Sequence, residues 1–529
     1  MSLIRLQQKL LIAGALFFLV TSDLQAQKPG EKWSYQEASK AMTDGYWKHW
    51  NNDVQKKIDA DIDKYRKADA ALKVGAVAEG TDVTIEQISH EFVFGANIFN
   101  YNQLGTTERN SRYKHLFGSL FNSATIPFYW KKFEMQPGRP RFKEEYWDTE
   151  AYWNNVAEPK KQPHWRRPAP DPIVAFCEEV GIRRHGHTMT WGNRTWHHPE
   201  WLLEDVASEQ EKNTIKSWMS ETASEKKGIR GDKYTDAYKK LSAEEVGNRI
   251  PQFAADLKRL TEDRIAQIAR YYGDRLQSWD IVNESATDFA NGVMVPGDAI
   301  CKSHYGIMPG DYTHESFQVA KKVFPSNVLL NINDYKIDES YVRQAKDLIS
   351  RNNRIDIMGY QMHLFNPQQC TDISLGKEIQ TPQHVRKTME VMGQAGLPVH
   401  LSEITITAPD DNAKGRAIQS VIAYNLYRMW FSMENMMGIT WWNIVDDCGA
   451  PGEPTTSGIF TRNMEPKPAF YALDQLINHE WKTNLTAKPA AGGQVAFRGF
   501  KGKYRVTWKD KNGDYQERIF DLSKNGDGF

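Results

Sequence analysis

Cysteine is scarce in this chain: Cys177, Cys301, Cys370 and Cys448 are all that 529 residues contain. None of the four stands in a CxxC pair or in the Cys/His spacing of a zinc site, so a structural metal knot is excluded. Buried free thiols and disulfides both stay open for them. Charge of one sign is missing too. Lys+Arg 67 against Asp+Glu 67 leaves a formal net charge of +0, which removes the electrostatic basis for binding nucleic acid or an acidic membrane. No internal apolar run reaches the roughly 18 residues of a membrane span. A glycine-rich phosphate loop after the first strand, the mark of a dinucleotide fold, is also absent. What is present is ample core material, with 40% hydrophobic and 25% charged residues, and 17 Trp and 22 Tyr. Those rings suit stacking on flat, ring-shaped ligands and suit core filling as well.

At about 150 residues per domain, the length predicts about three to four domains, although one α/β barrel can absorb more than about 250 residues. Arg5 and Lys9 precede an apolar run over residues 10–20, and small and polar residues lead to Ala26. This is the order of a secretory signal peptide, its apolar part too short to span. Residues 1–26 are therefore expected to be a leader cut after Ala26, placing the mature chain in the periplasm, at the cell surface or in the medium. Residues 27–90 read as a lead-in, helical through the Lys-, Asp- and Ala-rich run 53–71 and then strand-forming around a turn at Glu79-Gly80.

From about residue 91 to 478, short apolar strands alternate with amphipathic helices, the signature of parallel βα units. Eight strands are predicted, at residues 92–97, 123–128, 185–190, 278–282, 328–333, 355–361, 399–405 and 438–442. Helices are predicted between them at 171–180, 264–272, 340–351, 382–393 and 413–434. Eight such repeats fit an α/β fold of the TIM (β/α)8 barrel type better than an open sheet. A charged, weakly periodic insertion interrupts it at about 202–245. After Trp481 the chain reads as a small C-terminal β appendage, residues 479–529. There Tyr504, Val506 and Trp508 alternate, Asn512-Gly513 turns, and residues 515–520 form the answering strand.

In such a barrel the chemistry sits past the C-terminal ends of the strands. Strand 3 delivers His185, His187 and Trp191 there. Strand 4 delivers Asn283 and Glu284, strand 5 Asn333-Asp334-Tyr335, strand 6 Gln361 and His363, strand 7 Glu403, and strand 8 Trp442 and Asp446. Two carboxylates thus project toward one mouth among amides and aromatic rings. That is equipment for breaking a glycosidic bond, where one carboxyl protonates the leaving oxygen while an ionised partner meets the anomeric carbon. Gln361 and His363, two apart on one face, are placed to hydrogen-bond Glu403 and keep it charged. Asn283 is placed to hold a sugar 2-hydroxyl. Each signal alone has an ordinary structural explanation: Asn-Glu as a helix cap, paired histidines as hydrogen-bonders, one of Trp441 and Trp442 as core. Their order on eight strands is what carries the reading.

Those motifs resemble glycoside hydrolase family 10, the retaining xylanases, over about residues 92–476. The carriers are Gly186-His187-Thr188-Met189-Thr190-Trp191, Pro199-Glu200-Trp201, and Arg270-Tyr271-Tyr272-Gly273 leading into Trp279-Asp280-Ile281-Val282-Asn283-Glu284. Asn333-Asp334-Tyr335 follows, then the strand Ile355 to His363, Leu401-Ser402-Glu403-Ile404, Trp442-Asn443-Ile444-Val445-Asp446 and Lys467-Pro468-Ala469-Phe470-Tyr471. The resemblance implies Glu284 as acid/base and Glu403 as nucleophile supported by His363. It implies His187, Asn283, Gln361 and Trp442 around the sugar at the cleavage point, with Trp191 and Tyr335 as further substrate contacts. Retention implies carboxyl groups about 5–5.5 Å apart.

The chain departs from the family where the second strand ends. A glutamate, an asparagine and a lysine that grip the sugar become Thr125, Ile126 and Tyr129, and Ser402 stands where threonine is usual. Gly192 replaces a histidine after Trp191, with His197 or His198 as candidates to refill the space. The expected activity is hydrolysis of a β-1,4-linked polysaccharide, xylan first, by double displacement, with no cofactor or metal. Its partner would be a polysaccharide or oligosaccharide; nucleic acid and a membrane span are not expected, and the oligomeric state stays open. The alternatives are a barrel glycosidase on a different or decorated glycan, a non-catalytic carbohydrate-binding protein on the same scaffold, and a metal-dependent hydrolase using His185 and His187.

Overall fold

The computed structural model describes residues 33–75, 77, 80–219 and 234–523. The leader, residue Glu79 of the expected turn, and part of the 202–245 insertion lie outside the described residues. Eight parallel strands close into a barrel: β1 Val93–Asn97, β2 Ser123–Pro127, β3 Arg183–His187, β4 Ser278–Asn283, β5 Leu329–Asp334, β6 Ile357–Leu364, β7 Val399–Ile406 and β8 Met436–Trp441. Each pairs with the next in sequence, and β8 returns to β1 through Gly438↔Val93. The α/β barrel expected from the βα alternation is therefore the observed fold. A two-residue strand, Thr190–Trp191, continues the third position and pairs with the end of β4.

Burial on both sides explains why these strands read as apolar runs rather than alternating ones. All eight residues of β7 are buried. Close packing inside the barrel fixes one glycine: a Cβ on Gly186 of β3 would lie 2.1 Å from the Trp279 ring of β4. All four cysteines are buried free thiols, so cohesion comes from packing.

The N-terminal helices Tyr35–Ser39, Asp44–His49 and Asn52–Arg66 lie against the long helix Ala413–Phe431. Asn425 Nδ2 donates to Tyr46 Oη at 2.9 Å, and Trp33 Nε1 to Ser420 Oγ at 3.1 Å. The helical run expected to reach residue 71 stops at Arg66, because Lys67–Lys73 pairs as a strand with Gln494–Phe500. Val83–His90 likewise lies between Asn484–Ala487 and Gly502–Lys509. Both chain ends thus build one β module with a shared core that includes Leu72, Ile85, Tyr504, Val506 and Phe520. The insertion carries the helices Glu209–Trp218 and Asp236–Lys240. It packs a separate apolar cluster, including Trp201, Ile215, Trp218 and Tyr238, onto Trp130 and the helix Pro251–Tyr272.

Candidate active site

At the C-terminal mouth, β4 ends in Asn283-Glu284 and β7 carries Glu403. Glu284 sits in the left-handed region at φ 54°, a conformation costly for a glutamate and held only where the surroundings fix it. Here its backbone N–H donates to the Asn333 carbonyl at 2.7 Å. The amide of Gln361 on β6 joins the two acids: its Nε2 lies 3.3 Å from Glu284 Oε1 and 3.1 Å from Glu403 Oε1. Trp191 Nε1 donates to the other oxygen of Glu284 at 3.1 Å. Both carboxylates face one cavity that His187, Trp191, Asn283 and Trp442 also line.

Glu403 is buried and wrapped in donors. Asn333 Nδ2 gives it a hydrogen bond at 3.0 Å and gives another to Asn283 Oδ1 at 2.9 Å. His363 Nε2 approaches its second oxygen at 3.3 Å, while the other ring nitrogen meets Thr405 Oγ1 at 2.9 Å. Ser402 Oγ donates to Asn333 Oδ1 at 2.5 Å, which fixes the amide so that its NH2 faces the acids. Gly359 makes room for this, since a Cβ there would lie 2.3 Å from Asn333 Oδ1.

Beneath them Asp280 accepts from His187 Nδ1 at 2.8 Å and meets His185 Nε2 at 3.0 Å. Burial works against the Asp280 anion, yet the two imidazoles outweigh it and hold the carboxyl far below the usual range. Burial likewise lowers the His187 imidazole. Its hydrogen bond to Asp280 and the charges of Glu403, Asp280 and Glu284 reverse this and leave it above the ordinary histidine value. The paired histidines thus serve Asp280. Among the described residues no group of three His, Cys, Asp or Glu could hold a metal ion.

The other expected residues fall at different depths. Gln361 and His363 reach Glu403 from the neighbouring strand β6, Gln361 level with it in register and His363 two residues nearer the mouth. Tyr335 is 41% exposed at the rim, hydrogen-bonded to Tyr305 at 3.0 Å, and Tyr305 sets its ring against Trp191. Neither His197 nor His198 lines the carboxylate cavity, although the His197 ring lies 6.4 Å from that of Trp191. His197 is buried behind it on the Met189 carbonyl, and His198 lines a different cavity with Lys131 and Arg194. Trp196 lines the carboxylate cavity instead. Asp446 turns away to the fully buried Lys467 at 3.0 Å, and Trp441 is core with its indole N–H on the Ser457 carbonyl. Sequence reasoning missed the supporting role of Asn333, although the motif containing it was recognised, and gave no place to Tyr305, Arg166 or Arg167. The arginines come from the long segment after β2, which has no periodicity to flag them.

Asp334, the neighbour of Asn333, is pushed up to about 7, first by burial and further by the Glu284 and Asp288 charges, against hydrogen bonds from the Ala286 and Lys336 N–H groups.

Comparison with known proteins gives a consistent kinship. Residues 242–476 match the model of glycosyl hydrolase family 10. A putative endo-1,4-beta-xylanase of Caldicellulosiruptor saccharolyticus is 23% identical over 339 residues, covering 60% of this chain and 91% of that protein. Endo-1,4-beta-xylanase C of Paenibacillus barcinonensis is 20% identical over 425 residues, covering 75% of this chain and 32% of its own, so the chain spans about a third of that longer relative. Among solved structures, xylanase 10B from Thermotoga petrophila in complex with xylobiose aligns with a TM-score of 0.48 at 18% identity, covering 74% of this chain and 95% of that one.

Proposed function

We propose that this chain, a glycoside hydrolase and a divergent relative of glycosyl hydrolase family 10, cleaves β-1,4-linked xylan by double displacement and does so after export. The observation that carries the reading is the shared Gln361 nitrogen between Glu284 and Glu403. One donor within 3.3 Å of each keeps those oxygens closer than the roughly 6.5–9.5 Å that inverting enzymes leave for a water, which supports retention. In this reading Glu284, steadied by the Trp191 indole, protonates the leaving oxygen. Glu403, oriented by Asn333, Gln361 and His363, attacks the anomeric carbon and forms a glycosyl ester. Water, activated by Glu284, then releases the sugar. Asn283, held by Asn333, is placed for the 2-hydroxyl, and Trp442 and Trp191 wall the ring. Export rests on the leader-like first 26 residues; among the described residues no helix is long and apolar enough to cross a membrane.

Proton NMR of xylohexaose hydrolysis tests the mechanism: the β-anomer is expected to accumulate before mutarotation, and Glu403→Ala and Glu284→Ala are expected to abolish turnover. First-formed α-anomer would overturn retention. Binding without turnover in the wild type would favour the non-catalytic reading. Tyr129, with Arg166 and Arg167 beside it, gives the cavity a wall unlike the family's and favours a decorated xylan as the substrate; a polysaccharide panel assayed for reducing ends distinguishes the choices.

A further inference from the structure

The wall of the cavity formed after β1 and β2 carries two adjacent guanidinium groups that the hydrolytic machinery does not use. Arg166 is spoken for. It is 2% exposed, with Nη1 3.4 Å from Glu453 Oε2 and Nη2 on the Asn443 side chain. Glu453 is further fixed by Asn443 Nδ2 at 2.5 Å and the Ala450 N–H at 2.7 Å.

Arg167 differs. Its guanidinium lies over the Tyr129 ring at 3.8 Å and near the Phe99 ring at 4.9 Å. Among the described residues its acceptor is the Arg166 carbonyl, reached from Nη1 at 2.8 Å. Among the described residues no carboxylate lies within ion-pair distance of it, and its Nε and Nη2 are not sealed in the interior without partners. A guanidinium has five N–H donors in a planar fork; the Arg166 carbonyl takes one, and the side chain lines the same cavity as Glu284 and Glu403. Burial lowers its pKa to about 10, which leaves it charged at neutral pH. A half-buried cation lying over an aromatic ring at the wall of a cavity is an arrangement that receives an oxyanion through paired hydrogen bonds.

We propose that Arg167 binds a negatively charged substituent, the carboxylate of a uronic acid or the oxygens of a sulfate ester, on a sugar seated against the β1 and β2 wall of the cavity. The neutral xylan backbone offers no such group, so the preferred substrate is an acidic, branched or esterified form of it. The inference rests on the glycosidase reading of the site and adds the charge of the substrate to it.

The test uses the full mature chain and four oligosaccharides of equal backbone length: unsubstituted, glucuronate-branched, the methyl ester of that branch, and sulfate-esterified. The ratio of kcat/KM for an acidic substrate to that for the unsubstituted one is the readout. In the wild type that ratio is expected to exceed about 10, the size of one charge-assisted bidentate contact. Methyl esterification is expected to return it to about 1, and added salt to lower it. In Arg167→Gln the ratio should fall about 10-fold, and Arg167→Lys should restore only part. The glucuronate and sulfate arms decide which anion is taken. A wild-type ratio near 1 for both anions, or one that Arg167→Gln leaves unchanged, overturns the proposal. The glycosidase reading fails separately, through a wild type that binds these oligosaccharides and cuts none of the four.

Discussion

The side-chain amide of Asn333 donates to Glu403 Oε1 at 3.0 Å, and Ser402 holds that amide in place through a 2.5 Å bond to its carbonyl oxygen. Removing a donor from a buried carboxylate costs about 1.5–3 kcal/mol. Asn333→Ala is therefore expected to lower kcat/KM on xylo-oligosaccharides by about 10- to 100-fold. Ser402→Ala should cost less and should be far from additive with it, because the hydroxyl acts through Asn333. Initial rates for the two single variants and the double variant check this; a fully additive pair, or Asn333→Ala within two-fold of wild type, would contradict the arrangement.

Gly359 belongs to the same unit. A methyl group there would stand 2.3 Å from Asn333 Oδ1 and 3.1 Å from its Cα. Gly359→Ala should cost about 1–3 kcal/mol of stability through overpacking and should reduce kcat/KM by displacing the amide. In an Asn333→Ala background most of that kinetic effect should vanish. Chemical denaturation and steady-state rates separate the two consequences.

How far the sequence discloses such a unit depends on how local its signals are. The barrel was legible because each βα repeat writes its own apolar strand and amphipathic helix, and because Glu284 follows β4 and Glu403 lies in the C-terminal half of β7. Asn333 was passed over for Tyr335, as an aromatic side chain looks like a sugar contact. Strand register decides otherwise, setting Asn333 beside Asn283 and Gly359 while Tyr335 leaves the barrel at the rim. Arg166 and Arg167 had no strand or helix period to place them. The β module joins strands more than 400 residues apart, and no local pattern records which edge meets which.

Asp280 gives a pH-dependent prediction. It is 1% exposed and shared by His185 and His187. A histidine raised in the folded state contributes stability that is complete below its unfolded value of about 6.5 and is lost as pH rises through the folded value. A depressed carboxylate contributes stability above its unfolded value of about 3.9 and loses it as pH falls toward the folded one. Asp280→Asn should thus cost about 3–5 kcal/mol at about pH 5–6, where both charges are present. The gap should narrow at high pH as His187 becomes neutral. Denaturation curves between about pH 4 and 9 measure it, and a gap independent of pH would argue against a charged His187–Asp280 pair.

Asp334 has the opposite sign. Burial, first, and the nearby Glu284 and Asp288 charges raise it to about 7, so between its unfolded value of about 3.9 and that value the folded chain binds the extra proton. Stability contributed by this group therefore falls as pH rises through the window. Asp334→Asn, which keeps an acceptor for the Ala286 N–H, should gain on the wild type steadily from about pH 4 to 7. Thermal unfolding of both proteins across that range checks the trend; a difference that shrinks with pH would reverse the assignment.

The β module tests whether the two chain ends depend on each other. Val83–His90 is paired on one edge by Asn484–Ala487 and on the other by Gly502–Lys509, with Ile85 opposite Val506 and both fully buried. Ending the chain at residue 482 would leave that strand with two unpaired edges and an uncovered apolar face, the condition for edge-to-edge aggregation. Ile85→Ala in the full chain should cost about 2–5 kcal/mol through the cavity it leaves. The rate per folded molecule should not change, because Val83–His90 runs into the N-terminal end of β1 and the carboxylates sit at the opposite mouth. Light scattering of the truncated chain, with denaturation and kcat measured on Ile85→Ala, decides the matter: a soluble, cooperative truncated barrel would mean that the C-terminal strands decorate the fold, whereas aggregation together with an unaltered kcat in Ile85→Ala would mean that they complete it.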